Sequence, residues 1–194
     1  MRVSDVSAIA RNALTLEIGD EMRSAPQPLP VLQLCFPLIR ANRLDWLIEK
    51  AVECGVDVLR PTVFEHSVRG EAPSANRTDR WQRIVVEASE QCGRLYLPSI
   101  TEPVAYGDVV DRAENLVVAD PSGESESKVA AKMLRASSIT LVIGPEGGLS
   151  AAELEVSRSK GASVISLGAN ILRAETAAIV AISRIRAWSA EQTV

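Results

Sequence analysis

The chain has 194 residues, with 21 lysines and arginines against 25 aspartates and glutamates, a net charge of −4. Apolar residues make up 46% and charged ones 24%, the balance of one globular domain or of one domain with a small appendage. A uniformly basic polyanion binder is excluded, and with 4% aromatics so is an extended base-stacking platform; a local RNA-binding patch is not.

Cys35, Cys54 and Cys92 form no CxxC pair, and His66 is the only histidine. A disulfide framework or a metal site is therefore not expected, and reduced thiols point to a cytoplasmic protein. The N-terminus lacks the continuous apolar core of a signal peptide. Ala174 to Ile182, the most apolar stretch, is too short to span a bilayer.

Ala13 to Ile18 alternates polar and apolar side chains as one strand does. Pro26, Pro28 and Pro30 then forbid helix and form an extended connector. A lone strand is no domain, so residues 1–24 read as part of something incomplete or as a docked arm. Beyond the connector, strand and helix patterns alternate. Val31 to Phe36 is an apolar strand. Leu44, Leu47, Ile48, Ala51 and Val52 have helical spacing over Arg40 to Cys54, and Gly55 stops that helix. A strand over Val56 to Phe64 and a helix over Asp79 to Gly93 follow. Short strands are predicted at Leu116–Ala119, Ile139–Ile143 and Val164–Leu167, with helices near 126–136, 150–160 and 174–190. This alternation predicts an α/β fold, a parallel sheet flanked by helices.

In such sheets ligands sit beyond the C-terminal strand ends, where two loops stand out. Gly144-Pro145-Glu146-Gly147-Gly148 contains three glycines that let backbone approach a ligand, although a plain strand–turn–helix link serves as well. Ser150 and Glu153 form a capping box that starts a helix. The second loop runs from Gly168 into Arg173, Glu175 and Thr176. Arginine is unfavourable at a helix start and suggests an anionic or carbonyl partner; the alternative is a surface charge beside core Ile171 and Leu172. The Rossmann fingerprint, the P-loop and the nucleophile elbow are absent.

Ile143 to Gly148, followed by Ser166-Leu-Gly-Ala-Asn-Ile-Leu-Arg-Ala-Glu-Thr-Ala177, resembles the ribosomal small-subunit RNA uracil-N3 methyltransferases, the RsmE-type branch of the SPOUT superfamily. Glu49 to Val56, Glu65-His66-Ser67, Arg80-Trp81, Glu87-Ala88 and Glu90-Gln91-Cys92-Gly93-Arg94 resemble further motifs of that family, in the same order, over about residues 31–190. His66 and Asn170 stand where the family has arginine.

The resemblance implies a SPOUT-type sheet with a deep C-terminal trefoil knot, a homodimer, and S-adenosylmethionine as cofactor. It also implies that residues 1–25 are a remnant of an N-terminal PUA-like RNA-binding β-barrel, through truncation or a start lying upstream, and that 26–194 form the methyltransferase domain. Cofactor contacts are expected from Leu116, Val118, Gly144, Pro145, Gly147, Gly148, Leu167, Gly168, Ile171, Leu172 and Thr176. The small residues of Ala174 to Ala181 suit a dimer interface or, equally, an ordinary buried helix.

The partner would be 16S ribosomal RNA of the small subunit, methylated at N3 of a uridine. Arg173 is the candidate for holding a uracil oxygen as charge develops. Glu146 or Glu175 could take the proton or serve as structural caps, so the base stays unassigned. RNA contacts are expected from His66, Arg69, Arg80 and Arg94; Arg77 and Arg83 fit a solvated helix face as well. Ribose 2′-O methylation and a non-catalytic RNA- or cofactor-binding module are the competing readings.

Overall fold

The computed structural model describes residues 2–10, 13–22, 29–67, 75–125, 127–133 and 136–190. Arg2–Ala10 (β1) and Ala13–Met22 (β2) form an antiparallel two-stranded hairpin. This corrects the expectation of one strand. The register slips between Arg2 and Ser4 and again between Val6 and Ala8. The sequence of β1 shows no strict polar–apolar alternation, so it carried no strand signal.

The main body is a seven-stranded sheet with every pairing parallel, in the order β5-β4-β3-β8-β7-β9, and β6 also pairs with β4. Its strands are Val31–Pro37 (β3), Val58–Val63 (β4), Ser99–Ile100 (β5), Val104–Ala105 (β6), Leu116–Ser125 (β7), Ser138–Ile143 (β8) and Ser163–Ser166 (β9). The helices are Ala41–Glu53 (α1), Ala75–Cys92 (α2), Tyr106–Arg112 (α3), Ser127–Met133 (α4), Ala151–Ser159 (α5) and Ala174–Ala190 (α6). The predicted α/β layering is thus present. The elements β5, β6 and α3 were not anticipated, because two-residue strands and a seven-residue helix carry almost no periodic signal.

Strands covered on both faces read as continuous apolar runs, and their alternate residues divide between two cores. Leu32, Leu34 and Phe36 of β3, with Ile139, Leu141 and Ile143 of β8, face α1, α2 and α6. Cys35, Val142, Leu116 and Val118 face the opposite side, with Tyr106, Val109 and Val110 of α3. Helix α1 buries Leu44, Leu47, Ile48, Ala51 and Val52, as its spacing predicts, and each of the larger side chains contributes about 1.5–3 kcal/mol on burial. Ala174, Ala178 and Ala181 are at most 5% exposed and pack α6 into this same core. The alanine stripe is therefore used within the protomer, which favours the buried-helix alternative over a dimer face.

Asp57 ties this core together. Its buried carboxylate accepts hydrogen bonds from the Leu32 backbone amide (2.8 Å), Arg94 (3.0 Å) and Arg186 (2.5 Å). Arg186, on α6, also donates to the carbonyls of Gly55 and Pro30. Arg94, expected at an RNA surface, has a side chain only 9% exposed. It donates to the carbonyls of Val52 and Val56 as well as to Asp57, and stacks over Tyr96 at 4.6 Å. Its motif position reflects this structural clamp, a correction to the expected RNA contact.

Strand β7 extends beyond the predicted Ala119. Ala119 pairs with Ile165, the chain then bulges, and Glu124 returns to the same Ile165. At Gly123 an added Cβ would lie 2.6 Å from the Ile165 backbone nitrogen, a distance no side-chain carbon tolerates. No helix among the described residues is long and apolar enough to cross a membrane.

Replacing Asp57 by alanine is expected to destabilise the protein by about 3–5 kcal/mol, because two buried guanidinium groups lose their counter-charge. Chemical denaturation measures this. A loss below about 1 kcal/mol would show that the clamp contributes no more than a surface pair.

Candidate functional site

The bulge of β7 and the C-terminal ends of β8 and β9 converge on a cavity of about 410 Å³, within the ~300–1,000 Å³ range of small-ligand sites. Ala119, Asp120 and Pro121 form one wall, the 143–149 loop a second, and residues 166–174 with Ala177 the third. Gly144, Pro145, Gly147, Gly148, Leu167, Gly168, Ile171 and Leu172 all line it, together with Glu146 and Arg173. Three expected cofactor residues do not. Leu116 and Val118 lie in the second core, because the ligand end of a parallel strand is its C-terminus and Leu116 is where β7 begins. Thr176 is exposed on α6, outside the cavity.

The glycine loop is fixed by its own hydrogen bonds. The Gly148 amide donates to the Pro145 carbonyl at 2.8 Å, and Gly148 has φ +72, a left-handed conformation that favours glycine. His66 packs across the loop. Its Nδ1 donates to the Gly148 carbonyl at 3.1 Å, and a Cβ on Gly147 would come within 3.2 Å of the His66 Cβ. The predicted capping box is present: the Ser150 hydroxyl accepts from the Glu153 amide, and Glu153 accepts from the Ser150 amide. The other Glu153 oxygen accepts from the Glu65 amide at 2.9 Å. Helix α5 therefore also positions the loop that carries His66.

A second cavity, of about 600 Å³, adjoins the first and shares Pro145, Glu146, Gly147 and Arg173 with it. Leu38, Ile39, Arg40, Arg43 and His66 complete its walls. Sequence reasoning missed Arg43. It donates to both Glu175 oxygens, from Nε at 2.8 Å and Nη2 at 2.6 Å, and from Nη1 to Glu146 at 2.5 Å. One guanidinium thus joins the glycine loop to the start of α6. The signal that singled out Arg173 was available here too: the first turn of α1 holds Arg43 and no acidic residue.

The candidate catalytic residues separate by environment. Arg173 is exposed on the seam between the two cavities. Glu175 is 8% exposed, and the Arg43 hydrogen bonds hold its carboxyl below the usual glutamate range although burial opposes them. A carboxylate held ionised in this way is a poor proton acceptor. Glu146, with a side chain 65% exposed, is tied to Arg43 through one oxygen. Of the expected RNA contacts, His66 is exposed at the second cavity, and Arg69 lies outside the described residues. Arg80 is exposed but donates twice to Asp45, which offsets its charge.

This arrangement defines a parallel-sheet protein with a mostly apolar, glycine-lined ligand site opening onto an arginine-bearing second cavity. Residues 25–186 match the RNA methyltransferase domain family, and the chain belongs to it. It is 32% identical to the ribosomal RNA small subunit methyltransferase E of Rickettsia conorii, over 95% of this chain and 75% of that protein. It is 34% identical to the protein of that name from a Synechocystis strain, over 82% of this chain but only 54% of that protein's length. A crystal structure of a ribosomal RNA small subunit methyltransferase E from Neisseria gonorrhoeae, bound to S-adenosylmethionine, aligns with a TM-score of 0.84 at 25% identity, covering 95% of this chain and 77% of that one.

Arg43→Met is expected to lower stability most near neutral pH, where Glu175 is left ionised and buried without its partner. A depressed carboxyl pKa stabilises above the unfolded value, about 4.3, and that contribution vanishes as pH falls through the folded value. The gap between wild type and variant in denaturant midpoint should therefore close below about pH 4. A gap independent of pH would show that Arg43 does not hold the Glu175 charge.

Proposed function

We propose that the protein transfers the methyl group of S-adenosylmethionine to N3 of a uridine in small-subunit ribosomal RNA. The observation that carries this reading is the seam at Pro145–Gly147 and Arg173, where a cofactor-sized cavity meets a cationic one. The first cavity suits the cofactor: Ile143, Leu149, Leu167 and Leu172 offer apolar walls for adenine and a thioether, and the glycine loop brings backbone to the ligand. When bound, the cofactor supplies an electrophilic methyl group on a sulfonium.

The N3 proton of uracil is weakly acidic, so its removal leaves negative charge on the ring oxygens. Arg173 donates to one of those oxygens with a fixed pair of N–H groups and stabilises that charge. Arg43 keeps Glu175 ionised and unavailable, which leaves Glu146 as the carboxylate facing both cavities and the better candidate to receive the N3 proton. His66 steadies the glycine loop and lies along the RNA path.

The reading includes the deep trefoil knot in the C-terminal half that the resemblance implies. It includes a homodimer in the cytoplasm. Residues 1–25, which carry the β1–β2 hairpin, belong to a PUA-like RNA-binding unit, and residues 26–194 form the methyltransferase domain.

Incubation with S-adenosylmethionine and small-subunit RNA, followed by nucleoside mass spectrometry, should yield N3-methyluridine. A 2′-O-methyl product, or cofactor binding without turnover, would replace this reading. Arg173→Ala should abolish turnover while changing cofactor affinity by less than about tenfold, roughly 1.4 kcal/mol; undiminished turnover would remove Arg173 from catalysis.

A further inference from the structure

The charges around the second cavity do not cancel, and the surplus can be traced to one residue. Arg43 and Arg173 face Glu146 and Glu175. Arg43 is committed through three hydrogen bonds to the two carboxylates, and Arg173 lies close enough to Glu175 to lower its pKa. These four charges balance. Arg40 is the remaining cation on the wall, exposed, and no hydrogen bond or ion pair among the described residues engages its guanidinium.

Helix stability does not account for an arginine here. Arg40 is the N-cap of α1, makes no side-chain capping bond, and places positive charge at the positive end of the helix dipole. Its backbone is fixed, because its carbonyl accepts from the amides of Arg43 and Leu44, both at 3.0 Å. The result is a guanidinium on a fixed backbone mount, free to reach a ligand, beside a cavity whose walls include Leu38 and Ile39. A planar, partly apolar group bearing one negative charge complements those walls, and a nucleotide has that chemistry.

We propose that the second cavity seats the target nucleotide with its adjacent phosphate on Arg40, so that Arg40 orients the RNA strand while Arg173 serves the base. The proposal rests on the methyltransferase reading for the identity of the base, but not for the phosphate contact.

The test is the binding of a fluorescently labelled, single-stranded oligouridine to the full chain with S-adenosylmethionine present, measured by anisotropy over a salt series. Arg40→Gln should weaken binding about tenfold at low salt and flatten the slope of log K against log salt by about 0.7, the loss of one single-strand phosphate contact. Arg40→Lys should retain the slope, and Arg112→Gln, at an exposed position on α3, should leave both slope and affinity at the wild-type values. In the methylation assay Arg40→Gln should raise KM for RNA about tenfold, with kcat and cofactor affinity within about twofold. An unchanged slope in Arg40→Gln, or an equal flattening in Arg112→Gln, would overturn the proposal. If wild type makes no methyluridine while Arg40→Gln still flattens the slope, the phosphate contact stands and the proposed reaction fails.

Discussion

The ligand end of this protein depends on two pieces of backbone sharing almost the same space. Strand β7 pairs with Ile165 at Ala119, leaves the sheet for four residues, and pairs with Ile165 again at Glu124. The return is possible only because residue 123 has no side chain to collide with the β9 backbone. The displaced segment supplies Asp120 and Pro121, one wall of the first cavity. Packing therefore decides where the ligand site lies, before any polar side chain acts. A regular β7, running straight between β8 and β9, would remove that wall.

Two arginine–carboxylate clusters then serve opposite ends of the sheet. At Asp57 two guanidinium groups converge on one carboxylate that is inaccessible to solvent, and the backbone carbonyls of Val52, Gly55 and Val56 take up further donors. Such a site locks α2 and α6 to the N-terminal end of β3 and β4 and is closed to solvent. At the ligand end the ratio is reversed, with two carboxylates on Arg43, one of them largely exposed. The surrounding water and the spare oxygen lone pairs of Glu146 make that cluster adaptable. The same pair of chemical groups gives rigidity where two guanidinium groups share one buried carboxylate, and an adjustable contact where one guanidinium holds two carboxylates and one of them is exposed.

The features legible in the sequence were those with a local physical signature. The spacing of Leu44, Leu47, Ile48, Ala51 and Val52 gave α1, and Ser150 with Glu153 gave the start of α5, because each rule acts within a few residues. The glycine loop and residues 167–173 marked the ligand site because loops carry function on a parallel sheet. Misreadings arose where distant contacts decide. Arg94 stands in a motif that suggests a site, yet only the fold shows that Asp57, 37 positions away, takes its charge. Arg43 looked like one more helix residue, because its partners Glu146 and Glu175 lie 103 and 132 positions ahead. Strand β1 escaped detection for a different reason, since Arg2 to Ala10 shows no strict polar–apolar alternation.

A net charge of −4 at first tells against an RNA enzyme, but the charges that matter are those left unpaired at the site. Arg80 is paired with Asp45, Arg94 and Arg186 share the buried Asp57, and Arg43 is held by two glutamates. Total charge sets the long-range attraction to a polyanion, which salt screens within about 8 Å at physiological ionic strength. Positioning of a nucleotide is set at contact distance, by whichever guanidinium groups the fold has not already satisfied. Arg40, on the wall of the second cavity, meets that condition among the described residues, and the Arg173 guanidinium, whose charge Glu175 balances, is engaged by no hydrogen bond there. On the proposed reading, an acidic chain can hold RNA accurately at contact distance while attracting it weakly from afar.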